Sequence, residues 1–347
     1  MIETKMTDPV HQANKSLVLE YWAALDHADP NERSKGVATA TSGDMRWHGH
    51  APVGSVDGPE RFLSEAWEPL RRSFPDLDRE TFIFFAGSSN GRRDGDISKD
   101  GHRWVTGTGV FRATFVEDYL TIPATGGPVS IRWGEFCRVT DGRIDEVYFL
   151  IDVLDLMQQA GFDVLPASLG VDGQYPPPAA GDGVLAEPQD EAATGYCIDR
   201  IHAFIFGGLN VFDQEDLSSM GLAEYFHPDL QWYGPGGIGA CLSFEDFENH
   251  HQRPWLVAYP DRQVQDLTAL FAEGNYSGGP GWAGVKALHT GPYRGVEATG
   301  NAIEFNGLDW WKLDGEQFIE NWVFVDMIHL FDQMGVDLFA RLHAQIS

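Results

Sequence analysis

The chain has 347 residues, 43% of them hydrophobic and 12% aromatic, which suits two ordinary domains that each bury a core. With 24 basic against 52 acidic side chains it carries a formal charge of −28, a surface that repels nucleic-acid backbones and anionic lipid. Cys137, Cys197 and Cys241 are too scattered for a disulfide framework or a paired metal knuckle. No run reaches the ~18 apolar residues of a spanning helix and the first residues lack an apolar export core, so a cytoplasmic location is expected.

In chain order, Asn14 to Asp26 carries apolar residues at mostly helical spacing, with Asn14 as its expected N-cap. A short helix over Glu32–Ala40 and a short strand over Met45–His48 follow, then a helix from Pro59 to Arg71. Four segments rich in β-formers come next: Arg79–Ala86, His102–Val116, Val129–Val139 and Ile144–Ile151. Asp141-Gly142 predicts a tight hairpin between the last two. A helix opening at Asp152 closes at Gly161. The same order returns with a helix over Ala192–Phe206, a strand over Leu230–Tyr233, a helix over Phe244–Trp255, four strand segments and a helix from Asp326.

The recurrence is a repeat. Trp47-His48-Gly49 is answered by Trp232-Tyr233-Gly234, Phe62 by Phe247, and Phe74-Pro75-Asp76 by Tyr259-Pro260-Asp261, each 185 residues on. Ala124-Thr125-Gly126 is answered by Ala298-Thr299-Gly300, Glu146 by Glu320, Asp152 by Asp326, and Gln159-Ala160-Gly161 by Gln333-Met334-Gly335, each 174 residues on. The offset falls mainly because the first copy has extra residues between Phe111 and Ala124. We read a first domain over 1–164, a Pro/Gly-rich linker over 165–189 containing Pro176-Pro177-Pro178, and a second domain over 190–347. Each is expected to be an α+β cone: a curved antiparallel sheet wrapped around helices, with every second strand residue facing a pocket.

The Phe-Pro-Asp turn, the Ala-Thr-Gly turn, the Asp-Gly-Arg-Ile hairpin and the closing Asp-x-x-x-Leu-x-x-Gln-x-Gly resemble the SnoaL-like polyketide cyclases (ester cyclases) of the nuclear-transport-factor-2-like superfamily. Leu288-His289-Thr290-Gly291 partly matches that family's Thr-His-x-Gly strand. The resemblance implies two tandem cone domains and chemistry without a cofactor, in which a buried carboxylate works as acid/base on a β-dicarbonyl-like substrate beside a strand histidine. The superfamily also hosts isomerases, dehydratases, hydrolases and plain binders.

In the second copy Phe305, Gly307, Asp309 and Trp311 share one strand face, and His289, Gly291 and Tyr293 share another. If both face inward, Asp309 and His289 lie across one cavity, with the aromatic surroundings raising the Asp309 pKa. The carboxylate's counterpart in the first copy is Glu135, on one face with Trp133 and Cys137, while Gly107 stands where His289 does; His48 is then the alternative histidine and Arg112 is close by. Tyr233, Tyr293, Trp311, Trp322, Trp133 and Trp104 are candidate substrate contacts. His48 with His50, and the adjacent His250-His251, lack a neighbouring Cys, Asp or Glu at ligand spacing, so no metal is expected. Asp152 and Asp326 are read as helix caps.

The expected activity is cofactor-independent acid/base cyclisation or isomerisation of a small or medium carbonyl compound. The alternatives are an epoxide hydrolase or dehydratase, which would need an Asp–Arg–Asp network drawing on Arg132 or Arg138, and a non-catalytic binder of hydrophobic ligands. The partner is a small hydrophobic substrate rather than nucleic acid or membrane. The copies are expected to form a pseudo-dimer within one chain that is open to further homo-oligomerisation.

Overall fold

The computed structural model describes residues 4–90, 100–210, 216–264 and 267–346. Helix α1 (Val10–Asp26) buries Val18, Tyr21, Trp22 and Leu25, the i, i+3, i+4, i+7 stripe of a helix packed on one side. It starts before Asn14, which is buried inside the helix rather than capping it. Helix α2 (Pro30–Ala40) opens on Asp29, whose carboxylate accepts from Asn31 N, with Pro30 in the first turn. Strands β1 (Thr41–His48) and β2 (Ser55–Asp57) follow. A helical run then passes from α3 (Pro59–Phe62) through a π turn (Leu63–Trp67) into α4 (Glu68–Ser73).

Strands β3 (Asp78–Ser88), β4 (Arg103–Thr114), β5 (Pro128–Thr140) and β6 (Arg143–Ile151) complete a sheet of order β2-β1-β6-β5-β4-β3, closed by α5 (Val153–Gln159). β1 runs parallel to β6, and every other neighbouring pair is antiparallel. The β5–β6 turn is Asp141-Gly142 with φ of 50° and 72°, the two left-handed residues that a primed hairpin turn requires.

The second half begins with α6 (Glu191–His202), capped by Asp190 and running into a π segment over Ala203–Leu209. After a 3₁₀ turn (Leu217–Met220) come α7 (Leu222–Tyr225), β7 (Phe226–Tyr233), β8 (Ala240–Cys241), α8 (Phe244–Asp246), a π turn (Phe247–Gln252) and α9 (Arg253–Ala258). β9 (Gln263–Val264), β10 (Phe271–Glu273), β11 (Tyr276–Leu288), β12 (Ala302–Asp314) and β13 (Gln317–Val325) finish a sheet of order β10-β11-β12-β13-β7-β8, with β9 pairing β11. β7 is parallel to β13, as β1 is to β6. Helices α10 (Met327–Gln333) and α11 (Leu338–Ile346) end the chain; α11 has no counterpart in the sequence reading and packs Leu338 and Leu342 inward.

The architecture is therefore two α+β units, each a mixed sheet with helices. Alternation along the strands gives each sheet two apolar faces. One face packs on the unit's own helices, as Trp47, Trp133 and Phe149 do. The other carries Phe85, Trp104, Phe136, Tyr148, Trp310 and Trp322, and there the two sheets meet. Phe136 and Trp310 stack at 4.9 Å, and a Cβ on Gly134 would fall 2.4 Å from the Trp310 ring, so glycine is what lets the sheets close. The contact is reciprocal at the sheet ends: Gly236 N donates to Asp152 Oδ2 (2.8 Å) and Ala51 N donates to Asp326 Oδ2 (2.7 Å). Asp152 and Asp326 also accept from Asp155 N and His329 N, capping α5 and α10.

The segment over residues 165–189 lies along this contact. Tyr175 OH bonds Thr108 Oγ1 at 2.6 Å, Ala179 N donates to Glu320, and Phe84 bridges Val184.

Candidate functional site

β12 turns Phe305, Asp309 and Trp311 to the helix side of its sheet and Leu308 and Trp310 to the other, as alternation requires. Asp309 pairs with Gly279 on β11 and Val323 on β13. Its carboxyl enters a cavity of about 160 Å³ walled by Phe305, Trp311, Trp232, Trp255, Phe247 and Val323. Burial pushes the Asp309 carboxyl up to about 7, against a hydrogen bond from Asn321 that pulls it down. The other polar linings are His251, Gln252, Arg262, Asn306 and Asn321. His251 stacks on Trp232 at 4.2 Å, and burial, helped by the Arg262 charge, pushes it down to about 3, so it is a neutral imidazole. Arg262 is 6% exposed and burial lowers it to about 10.

His289 is elsewhere. Its backbone N bonds Asn301 O, eight residues along β12 from Asp309, which is on the order of 25 Å at ~3.3 Å per residue. The ring packs on Tyr259 at 5.4 Å with Nδ1 against Thr299 Oγ1 at 3.0 Å, fully buried and apart from the cavity lining. The expected opposition of His289 and Asp309 is thus not what the ladder gives: the strand face is right for Asp309, but the two stand at different heights of the sheet. Tyr293 packs its ring on Trp255 (5.6 Å) and Tyr259 (5.5 Å), behind the cavity wall.

Glu135 holds the same rung in the first sheet, between Gly107 and Phe149. Burial pushes its carboxyl up to about 7 although the Arg79 charge and a hydrogen bond from Trp22 pull it down. Trp22 Nε1 donates to Glu135 Oε2 at 2.5 Å. The Arg79 guanidinium, paired with Asp26 at 2.9 Å, lies over Trp133 (4.7 Å), Phe111 (4.8 Å) and Trp22 (5.0 Å). Side chains fill this interior where the second unit keeps space. Five cavity-lining residues explain the difference: Gln252, Val264, Val285, Gly307 and Val323 stand where the first unit has Trp67, Arg79, Phe111, Trp133 and Phe149, the first two by the 185-residue offset and the last three by the 174-residue one. The sheet pairings keep the same correspondence, Arg79 with Phe111 and Val264 with Val285.

The remaining sequence candidates fall on the other face or at the surface. His48 stacks on Tyr148 at 4.5 Å and meets Ser55 Oγ at 2.8 Å, on the opposite side of β1 from Trp47. Trp104, Tyr233 and Trp322 belong to the contact between the sheets, with Trp322 Nε1 donating to Pro176 O. Arg112 is exposed and pairs with Glu80 at 3.1 Å. Arg132 does sit between two carboxylates, Asp152 at 3.2 Å and Asp155 at 3.0 Å. Those groups also hold Gly234 O and Gly236 N of the other half, outside the cavity. Among the described residues no three His, Cys, Asp or Glu side chains gather as a metal-holding group, and no helix is long and apolar enough to cross a membrane.

Sequence reasoning placed Asp309 and Trp311 but missed His251, Gln252 and Arg262 as cavity groups. The signal was present: at the 185-residue offset they replace Ala66, Trp67 and Leu77, polar side chains where the sister copy is apolar.

No family model matches the chain, and no curated protein matches it. Solved structures similar to it include the "putative SnoaL-like polyketide cyclase" of Jannaschia sp. CCS1, at 17% identity over 46% of this chain and 99% of that one, TM-score 0.34. IdmH, a "putative polyketide cyclase" of Streptomyces antibioticus, matches at 22% identity over 44% and 100%, TM-score 0.31. A nuclear-transport-factor-2-like protein of Burkholderia thailandensis E264 matches at 18% identity over 43% and 97%, TM-score 0.31.

Proposed function

We propose that the chain is two fused SnoaL-like domains, of which the second is a cofactor-independent acid/base enzyme for a small carbonyl compound and the first is its filled, structural partner. The observation that carries the reading is Asp309: a carboxyl lifted to about 7 whose side chain opens into an otherwise largely apolar cavity. A base with that midpoint is half ionised near neutral pH, where proton transfer is most effective. Ionised Asp309 takes the acidic C–H proton beside the substrate carbonyl and holds it as the neutral acid. The enolate oxygen needs a donor, and the neutral imidazole of His251 and the amides of Asn306 and Asn321 line the same cavity. The enolate carbon then attacks an internal carbonyl, whose oxygen takes up the proton held by Asp309, giving cyclisation, or is reprotonated at another position by Asp309, giving isomerisation; either way Asp309 returns to its ionised form. The aromatic walls make the cavity largely apolar and favour a flat substrate.

The test is Asp309→Asn assayed on a panel of β-keto esters and β-diketones. Turnover in the wild type that survives the substitution ends the acid/base assignment. Binding of the same compounds without turnover by the wild type shows a ligand carrier instead.

A further inference from the structure

We propose that Arg262 anchors a carboxylate on the substrate, so that the compound held in the cavity is a small keto acid rather than a neutral ketone; this rests on the cavity being the reaction site. Arg262 lines the cavity and is 6% exposed, yet its Nε has no hydrogen-bond partner. Its other contacts are long and neutral: Leu209 O at 3.3 Å, Gln252 Oε1 at 3.3 Å and Met220 Sδ at 3.5 Å. No carboxylate lies within 4.0 Å of it among the described residues.

That is unlike three other buried arginine side chains among the described residues. Arg33 pairs with Glu68, Arg79 with Asp26, and Arg132 with both Asp152 and Asp155. A buried guanidinium is costly unless an anion meets it, and its planar fork suits the two oxygens of a carboxylate. The sister copy supplies the comparison. Leu77 follows Phe74-Pro75-Asp76 where Arg262 follows Tyr259-Pro260-Asp261, so a cation at this position belongs to the unit that has the cavity, whereas the interior cation of the filled unit, Arg79, stands at another position and is met by Asp26. The cavity, about 160 Å³, compares with apolar cavities of ~150 Å³ that take up benzene, which limits the enclosed part of the ligand to about one ring.

The experiment is a binding titration of the full chain with benzoate and, separately, benzamide, followed by calorimetry and by fluorescence of Trp232, Trp255 and Trp311, which line the cavity. The wild type is expected to bind benzoate at least tenfold more tightly than benzamide, and Arg262→Gln is expected to remove that preference. Arg262→Lys, which keeps the charge but not the fork, is expected to bind benzoate at least threefold more weakly than the wild type, and it carries the test if the glutamine variant does not fold by circular dichroism. Equal affinities for the two probes, no benzoate binding at millimolar concentration, a preference that persists in Arg262→Gln, or unchanged benzoate affinity in Arg262→Lys overturns the proposal. Asp309→Asn separates this from the catalytic reading. If that variant keeps turnover while the Arg262 variants lose the benzoate preference, the acid/base assignment falls and the carboxylate anchor stands.

Discussion

Glu135 and Asp309 occupy the same rung of two like sheets, Glu135 between Gly107 and Phe149 and Asp309 between Gly279 and Val323, and burial lifts both carboxyls to about 7. One is sealed under Trp22, Phe111 and Trp133 and the other opens into a cavity. Equal basicity with unequal access makes the pair an internal control. Asp309→Asn is expected to lower kcat by about 10²–10⁴-fold, the usual worth of a positioned general base, whereas Glu135→Gln is expected to leave kcat within about twofold. Steady-state kinetics on one substrate measures both. Equal losses from the two substitutions would show that the sealed carboxyl also reaches substrate.

The pH profile follows from the Asp309 shift. The group works as a base only when ionised, so activity is low in the acid range and rises to a plateau through pH about 7. His251, pushed down to about 3, stays neutral across that range and adds no limb of its own. A kcat/KM profile with its acid limb near 4, where an ordinary aspartate titrates, would contradict the assignment.

Much of this was legible in the chain. The duplicated register, the hairpin at Asp141-Gly142 and the inward phase of Phe305, Asp309 and Trp311 all follow from periodicity and turn chemistry, which are local. What was not legible depended on distances between strands. His289 and Asp309 share the helix side of the sheet, but face says nothing about height along a strand, and the ladder sets them eight residues apart. The sequence marks Tyr233, Trp322 and Trp104 as substrate contacts and His48 as the first copy's histidine because an aromatic strand face looks the same whether it meets a ligand or a second sheet. A sheet with two apolar faces needs two partners, and alternation does not say which face meets which.

Glu135 has a cost that depends on pH. Its folded-state midpoint is above its unfolded one, so between about 4.5 and about 7 the folded chain holds more protons than the unfolded chain, and stability falls as pH rises through that window. The full penalty, as much as about 3 kcal/mol, is present above it. Glu135→Gln cannot ionise. Its midpoint temperature relative to wild type is therefore expected to be least favourable at pH 5 and to rise by several degrees by pH 8. A difference in melting temperature that stays constant from pH 5 to pH 8 would refute the shift.

The cavity is expected to close when the second unit is given a first-unit side chain. Val323 lines the cavity beside Asp309 at the position that Phe149 fills in the other sheet. Val323→Phe is expected to abolish binding of any ring-sized ligand while leaving thermal stability within about 1 kcal/mol or raising it, because the new ring enters existing space rather than a packed core. Retained binding at wild-type affinity would place the ligand elsewhere.

Trp310 tests whether the two faces of the second sheet are separable in function. It is fully buried, stacks on Phe136 of the first unit at 4.9 Å, and donates from Nε1 to Thr106 Oγ1 at 2.9 Å, while its neighbour Asp309 points into the cavity. Trp310→Ala removes that contact and is expected to destabilise the chain by about 3–5 kcal/mol, as deletions of large buried aromatics do. Thr106 keeps its own bond to Glu135 O, so the adjacent ladder is held. Ligand affinity at 25 °C in the folded variant is expected to stay within about threefold of wild type. A folded Trp310→Ala chain that has lost its ligand would mean that the contact between the sheets sets the shape of the cavity, and that the first unit takes part in binding through it.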